Sequence, residues 1–222
     1  MNSINALRST RQGKCYVLGN SGSLSRIRTE ELLASVPTIG VNRILRVVSG
    51  AVSHLLIADK MVLQSELLRV NSCATGLLIF GGLDSRVLRQ VERPERIWTW
   101  GIHTCPYQRK PPRGHPPKLG EFRFSGNTGT YAIEAAALMG FSDIRMLGID
   151  LTNYGTPTSH CWGDGRTEGC RLSRPLPYLV ERYRMVFEEL KSRNVKLVNE
   201  SPVEGPLDAV IPKETCPWLL KK

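Results

Sequence analysis

The chain has no apolar run approaching the ~20 residues that a helix needs to cross a bilayer. The segment Met1 to Lys14 is polar and basic and contains no apolar h-region, so it does not read as a secretory signal. A cytoplasmic protein is the expectation. There is no Cys-x-x-Cys pair: the six cysteines stand at 15, 73, 105, 161, 170 and 216. A disulfide framework is not expected in a cytosolic chain of this size. Cys15 and Cys73 lie in or beside apolar stretches and read as core thiols. His160, Cys161 and Cys170 are close in sequence, but their spacing matches no standard zinc pattern. No internal repeat is present. Acid is scarce, with 20 Asp and Glu against 30 Lys and Arg, a net charge of +10. That balance favours phosphate-bearing partners: a nucleotide, a nucleic acid or an anionic glycan. The plainer reading is a soluble protein with a scattered excess of basic residues.

What is present suits one nucleotide-binding α/β domain spanning 1–222. The 222 residues, 41% of them hydrophobic, can bury an ordinary core. Cys15-Tyr16-Val17-Leu18 is a short apolar run that stops at a glycine, as a buried parallel strand does. Thr38 to Asn42, His54 to Asp59, Leu77 to Phe80, Ile144 to Asp150 and Val195 to Asn199 read the same way. Helices are predicted over Ser25 to Val36, Val62 to Val70, Thr130 to Met139 and Leu176 to Asn194, with Gly140 ending the third. Strands alternating with helices predict a mostly parallel, Rossmann-like sheet covered on both faces. Ligands of such sheets sit at the carboxyl ends of the strands. There the polar residues Gly19-Asn20, Asn42, Asp59, Gly148-Asp150 and Asn199 should converge. Residues 98–120, rich in Pro and Arg, read as a lid or binding-loop insertion, or as a disordered one. Residues 153–174 form a second irregular, polar stretch.

Three segments carry chemistry. Gly19-Asn20-Ser21-Gly22-Ser23 joins a strand to a helix. Its glycines let backbone approach a phosphate, and Asn20 and Ser23 add side-chain donors. It is neither a P-loop nor a GxGxxG fingerprint, and a tight turn alone would account for it. Ser125-Gly126-Asn127-Thr128-Gly129-Thr130 repeats the same physics at the start of the alanine-rich helix. The plainer reading there is N-capping by Thr128 with close helix–sheet packing. Ser159-His160-Cys161-Trp162-Gly163-Asp164 places one His beside an Asp, where it can serve as a general base near neutral pH.

Together these segments resemble the bacterial lipo-oligosaccharide sialyltransferases. Gly19 to Leu24 followed by Val41-Asn42 is similar to their GNGPSL and CN segments. Thr128 to Tyr131, the alanine-rich helix and Leu147-Gly148-Ile149-Asp150 resemble their SGVY-helix-SGID block, and Ser159-His160 their following SH pair. The same framework occurs in MptE-like 6-hydroxymethylpterin diphosphokinases. It also occurs in phage-encoded proteins of the norphogenetic type, whose NSG loop, LGxD and HWFGD pattern is the closest match. The departures are Gly22 in place of proline and Thr128-Gly129 in place of Ser-Gly. Of the two tyrosines that the sialyltransferases use on the donor phosphate, Tyr154 corresponds to one and the second has no clear counterpart.

The resemblance implies a GT-A-like variant of the Rossmann-like fold and a nucleotide-sugar glycosyltransferase. The donor would be CMP- or UDP-linked, and the acceptor a hydroxyl of a glycan or of modified phage DNA. Asn20, Ser23 and Asn42, with Gly19, Ser21 and Gly22, would hold the nucleotide phosphate and sugar. Asn127, Thr128, Gly129 and Gly148 would line the base or ribose. His160 would be the base, with Asp150 and Tyr154 beside it. No metal or other cofactor is implied, and the chain has no Asp-x-Asp clamp. The diphosphokinase alternative would need Mg²⁺ held by Asp59 and Asp150. A third reading is a non-catalytic nucleotide- or DNA-binding phage protein that uses the basic 98–120 stretch. A homo-oligomer is left open.

Overall fold

A computed structural model describes residues 2–72, 76–79, 85–99, 127–152, 154 and 175–221. Its eight strands are β1 (Asn2–Ser3), β2 (Lys14–Leu18), β3 (Thr38–Val41), β4 (His54–Ile57), β5 (Gly76–Ile79), β6 (Ile97–Thr99), β7 (Asp143–Leu147) and β8 (Lys196–Asn199). They form one all-parallel sheet in the order β1-β6-β5-β4-β3-β2-β7-β8. From β2 the sequence steps outward through β3 to β6, then returns to β2's other side as β7. The order therefore reverses between β2 and β7.

The strands are short apolar runs because both faces of the sheet are covered. Alternate residues divide between two cores. Cys15, Val17, Ile39, Val41, Ile144 and Met146 face helices α4 (Thr128–Met139) and α5 (Leu176–Ser192). Tyr16, Leu18, Leu55, Ile57 and Leu147 face α1 (Thr29–Ser35), α2 (Lys60–Ser72) and α3 (Ser85–Leu88). Alanine enrichment in α4 lets that helix sit close to the sheet: Ala132, Ala135 and Ala136 are fully buried. Gly140 ends α4 in the left-handed conformation, at φ 103°.

Three expectations are corrected, and one strand arises where none was predicted. The predicted helix Ser25 to Val36 is broken into a 3₁₀ turn, Gly22–Arg26, and α1. The cause is tertiary. Ile27 is extended and bridges Leu220, while Arg28 N–H donates to Leu219 O and Lys221 N–H to Arg26 O. Trp98, read as the start of the irregular insertion, lies in β6; 100–120 are outside the described residues. The polar N-terminus supplies an edge strand, Asn2–Ser3, beside β6. Asn127, not Thr128, caps α4, its side chain accepting from Thr130 N–H.

Glu134 on α4 is fully buried, and neither carboxyl oxygen finds a hydrogen-bond partner among the described residues. Burial, reinforced by Glu189 nearby, pushes its pKa well above the ordinary carboxylate range. The folded protein thus keeps a proton that the unfolded chain releases. Stability is greatest at low pH in this respect and falls as pH rises past the ordinary carboxyl range. Glu134→Gln should remove that loss, which amounts to at most about 1.4 kcal/mol per pH unit for one proton. Chemical denaturation from pH 5 to 8 checks this; parallel wild-type and variant curves would contradict it.

Candidate functional site

Where strand order reverses, the carboxyl ends of β2 and β7 open a crevice, the usual place for a ligand in such sheets. The two strands leave the sheet through turns packed against each other. Gly19 N–H donates to Leu147 O at 2.8 Å and Ser21 N–H to Gly148 O at 2.8 Å. Gly148 is at φ 66°, and a Cβ on Gly19 would lie 2.2 Å from Gly148 O. Only glycine permits both the contact and the turn. Leu151 follows at φ 58°, a left-handed conformation seldom adopted by a branched residue.

These turns form one wall of a cleft of about 210 Å³. Gly19, Asn20 and Ser21 follow β2, and Val41 and Asn42 stand at and just after the end of β3. Asn127, Thr128 and Gly129 come from the start of α4, and Gly148, Ile149, Leu151 and Tyr154 follow β7. Tyr183 closes the cleft from α5.

Three asparagine amides are oriented by their partners. Asn127 Oδ1 accepts from Thr130 N–H at 3.1 Å and from Tyr183 Oη at 2.9 Å, so its Nδ2 is left as the donor. Burial pushes the Tyr183 phenol well up, which keeps it a neutral donor. Asn20 Nδ2 donates to Val41 O at 3.1 Å, and Asn42 Nδ2 to Thr128 Oγ1 at 3.1 Å. The Oδ1 atoms of Asn20 and Asn42 are buried without a partner among the described residues. Buried acceptors of this kind normally have donors. A ligand bringing O–H or N–H groups would satisfy them.

The structure therefore gathers Gly19, Asn20, Ser21, Asn42, Asn127, Thr128, Gly129, Gly148 and Tyr154 around one space. Gly22 and Ser23 are not among its lining residues. Ser23 is buried, and its hydroxyl donates to Asp150. Asp150 is 1% exposed and does not line the cleft either. Burial pushes its carboxyl up, but hydrogen bonds from Ser21, Ser23 and Thr152 outweigh this and hold it below its ordinary value. Asp59 is also outside the lining and accepts from Met61 N–H at 2.8 Å at the start of α2. Among the described residues no group of three or more His, Cys, Asp and Glu is arranged to hold a metal. Gly126 and the segment around His160 lie outside the described residues. Sequence reasoning missed Tyr183. Its only signal is a buried position on an amphipathic helix, which does not reveal that its hydroxyl reaches Asn127.

The sequence matches no protein-family model and no curated protein. Among solved structures the chain is similar to sialyltransferase CstII from Campylobacter jejuni. One structure, with CMP-3FNeuAc, aligns at a TM-score of 0.55 and 14% identity over 95% of this chain and 88% of that one. Another, with cytidine-5'-monophosphate, gives 0.51 and 13% over 90% and 84%. A CST-II complex with trisaccharide acceptor and CMP gives 0.54 and 13% over 89% and 84%. At this identity the likeness establishes a shared α/β fold.

Proposed function

We propose that the cleft binds a nucleotide-activated sugar and that the protein is a glycosyltransferase of the sialyltransferase-like kind. The observation that carries this is the convergence of the glycine turn at Gly19 and the start of α4 at Asn127 to Gly129, with three oriented asparagine amides, at the reversal between β2 and β7. The similar structures were solved with CMP or CMP-3FNeuAc, which supports a nucleotide donor. In this reading the Oδ1 atoms of Asn20 and Asn42 accept from the donor's ribose hydroxyls, the second N–H of Asn20 Nδ2 donates to its phosphate, and Thr128 and Gly129 border the base. Tyr154 donates to the leaving phosphate. His160 takes the proton of an acceptor hydroxyl as its oxygen attacks the anomeric carbon and the bond from that carbon to the phosphate oxygen breaks. Donors preorganised on the departing phosphate stabilise its growing charge, and the transfer proceeds without a metal.

The acceptor is a hydroxyl of a glycan or of modified phage DNA. Residues 1–222 act as one nucleotide-binding unit, with the stretch that follows β6, 100–120, as its lid, in the cytoplasm. No helix among the described residues is long and apolar enough to cross a membrane.

A thermal-shift screen of CMP, UMP, AMP and GMP and their sugar conjugates, with Mg²⁺ or with EDTA, tests this. A nucleotide sugar should raise Tm equally in both conditions, and free nucleotide should be released when acceptor is added. Stabilisation by ATP alone, and only with Mg²⁺, would replace the reading with phosphoryl transfer. Asn20→Ala should weaken donor binding by ~1–3 kcal/mol, the range for removing a buried polar partner. Unchanged calorimetric affinity would remove Asn20 from the site.

A further inference from the structure

Asp150 stands at the end of β7 beside the cleft, where an acid is readily taken for a proton carrier or a metal ligand. Its surroundings leave it free for neither. A carboxylate offers about four lone-pair sites, and four donors fill them. On Oδ1 these are Ser21 Oγ at 2.6 Å and Thr152 N–H at 3.0 Å. On Oδ2 they are Ser23 Oγ and, at 3.2 Å, Ser201 Oγ. Ser23 Oγ and Ser201 Oγ also lie 3.2 Å from each other.

The donors come from three places: the turn after β2, the chain after β7 and the chain after β8. One buried carboxylate therefore ties together the ends of three neighbouring strands, β2, β7 and β8. Both hydroxyls of the 19–23 turn point inward to it. Neither hydroxyl proton is then available to a ligand, and the N–H groups of Gly19 and Ser21 already donate to Leu147 O and Gly148 O, so this turn meets a phosphate through Asn20.

We infer that Asp150 is the positioning residue of the donor-phosphate turn: it fixes Ser21 and Ser23, and so the backbone of Gly19 to Ser23, in the shape that presents Asn20 to a phosphate, without touching the reactants itself. This rests on reading the cleft as a nucleotide site. It extends that reading by assigning recognition of the phosphate, as distinct from the nucleoside, to a hydrogen-bonded carboxylate behind the turn.

The test compares each nucleotide with its phosphate-free counterpart. Calorimetry on the wild-type protein identifies the tightest binder among CMP, UMP, AMP and GMP. Asp150→Asn and Ser21→Ala are then titrated with that nucleotide and with its nucleoside. Asparagine keeps the size of Asp150 but turns one acceptor into a donor that faces the serine hydroxyls. Asp150→Asn should weaken the monophosphate about tenfold or more, the loss of one charge-assisted hydrogen bond, and leave the nucleoside within about threefold. Ser21→Ala removes one of the four bonds and leaves the carboxylate otherwise paired. It should shift the monophosphate several-fold in the same direction, and it keeps the inference testable if Asp150→Asn does not fold. Unchanged monophosphate affinity, or equal losses for nucleotide and nucleoside, would overturn the positioning role and leave the nucleotide site standing. A wild-type protein that binds none of the four would overturn both.

Discussion

Gly19→Ala is expected to destabilise the protein by about 3 kcal/mol, the upper end of what overpacking usually costs. For a chain of this size that corresponds to a fall in Tm of about 6–12 °C. The added Cβ would meet Gly148 O at 2.2 Å and Ile149 Cγ1 at 2.3 Å. A flexible side chain can move away from such a contact, but this carbonyl cannot. It accepts from Ser21 N–H, and Gly148 is already held at φ 66°. Relief requires β2 and β7 to separate at the mouth of the cleft, so ligand binding should be lost as well. Gly50→Ala is the control. Its nearest contact is Leu33 Cδ1 at 3.1 Å, the tip of a side chain that can turn aside. A Gly19→Ala protein that melts with the wild type would mean that the two turns are not packed against each other.

His160→Ala is expected to lower the transfer rate by about 10²–10⁴, the usual contribution of a general base, while nucleotide affinity stays within about twofold. No carboxylate lines the described part of the cleft, and Asp150 is fully engaged. Tyr154 does line it, and His160 is six residues further on, within about 20 Å of extended chain. A histidine is ionisable near neutral pH and suits deprotonation of a hydroxyl. A rising limb in the pH dependence of the rate should therefore be present in the wild type and lost in the variant. An unaltered rate in the variant removes His160 from the mechanism.

The core strands could be read because each is a short apolar run closed by glycine or a polar residue, as at Leu18-Gly19 and Leu147-Gly148. Those runs also predicted that polar strand ends would meet; Gly19, Asn20, Asn42 and Gly148 do line one cleft, while Asp59, Asp150 and Asn199 lie outside its lining. Edge pairing was not legible. Asn2–Ser3 and Ile97–Thr99 are too short to show a period, and only their pairing, β6 with β5 and β1 with β6, makes them strands. The break at Ile27 depends on Leu220, nearly two hundred residues away, so the apolar pattern of Ser25 to Val36 read as one helix. The hydroxyl of Ser23 was read as a ligand donor because local sequence does not show that Asp150 takes it. Tyr183 was missed for the same reason: its hydroxyl acts through Asn127, 56 positions away.

A nucleotide is expected to occupy the space between the glycine turn at Gly19 and the start of α4. Titrating the best-binding nucleotide into isotope-labelled protein and following backbone amide and asparagine side-chain resonances tests it most directly. The account predicts saturable shifts concentrated at Gly19 to Ser21, Asn42, Asn127 to Gly129 and Gly148 to Leu151, with the amide groups of Asn20 and Asn42 among the largest. Saturable binding whose shifts fall elsewhere, or no binding by any nucleotide or nucleotide sugar, would contradict it.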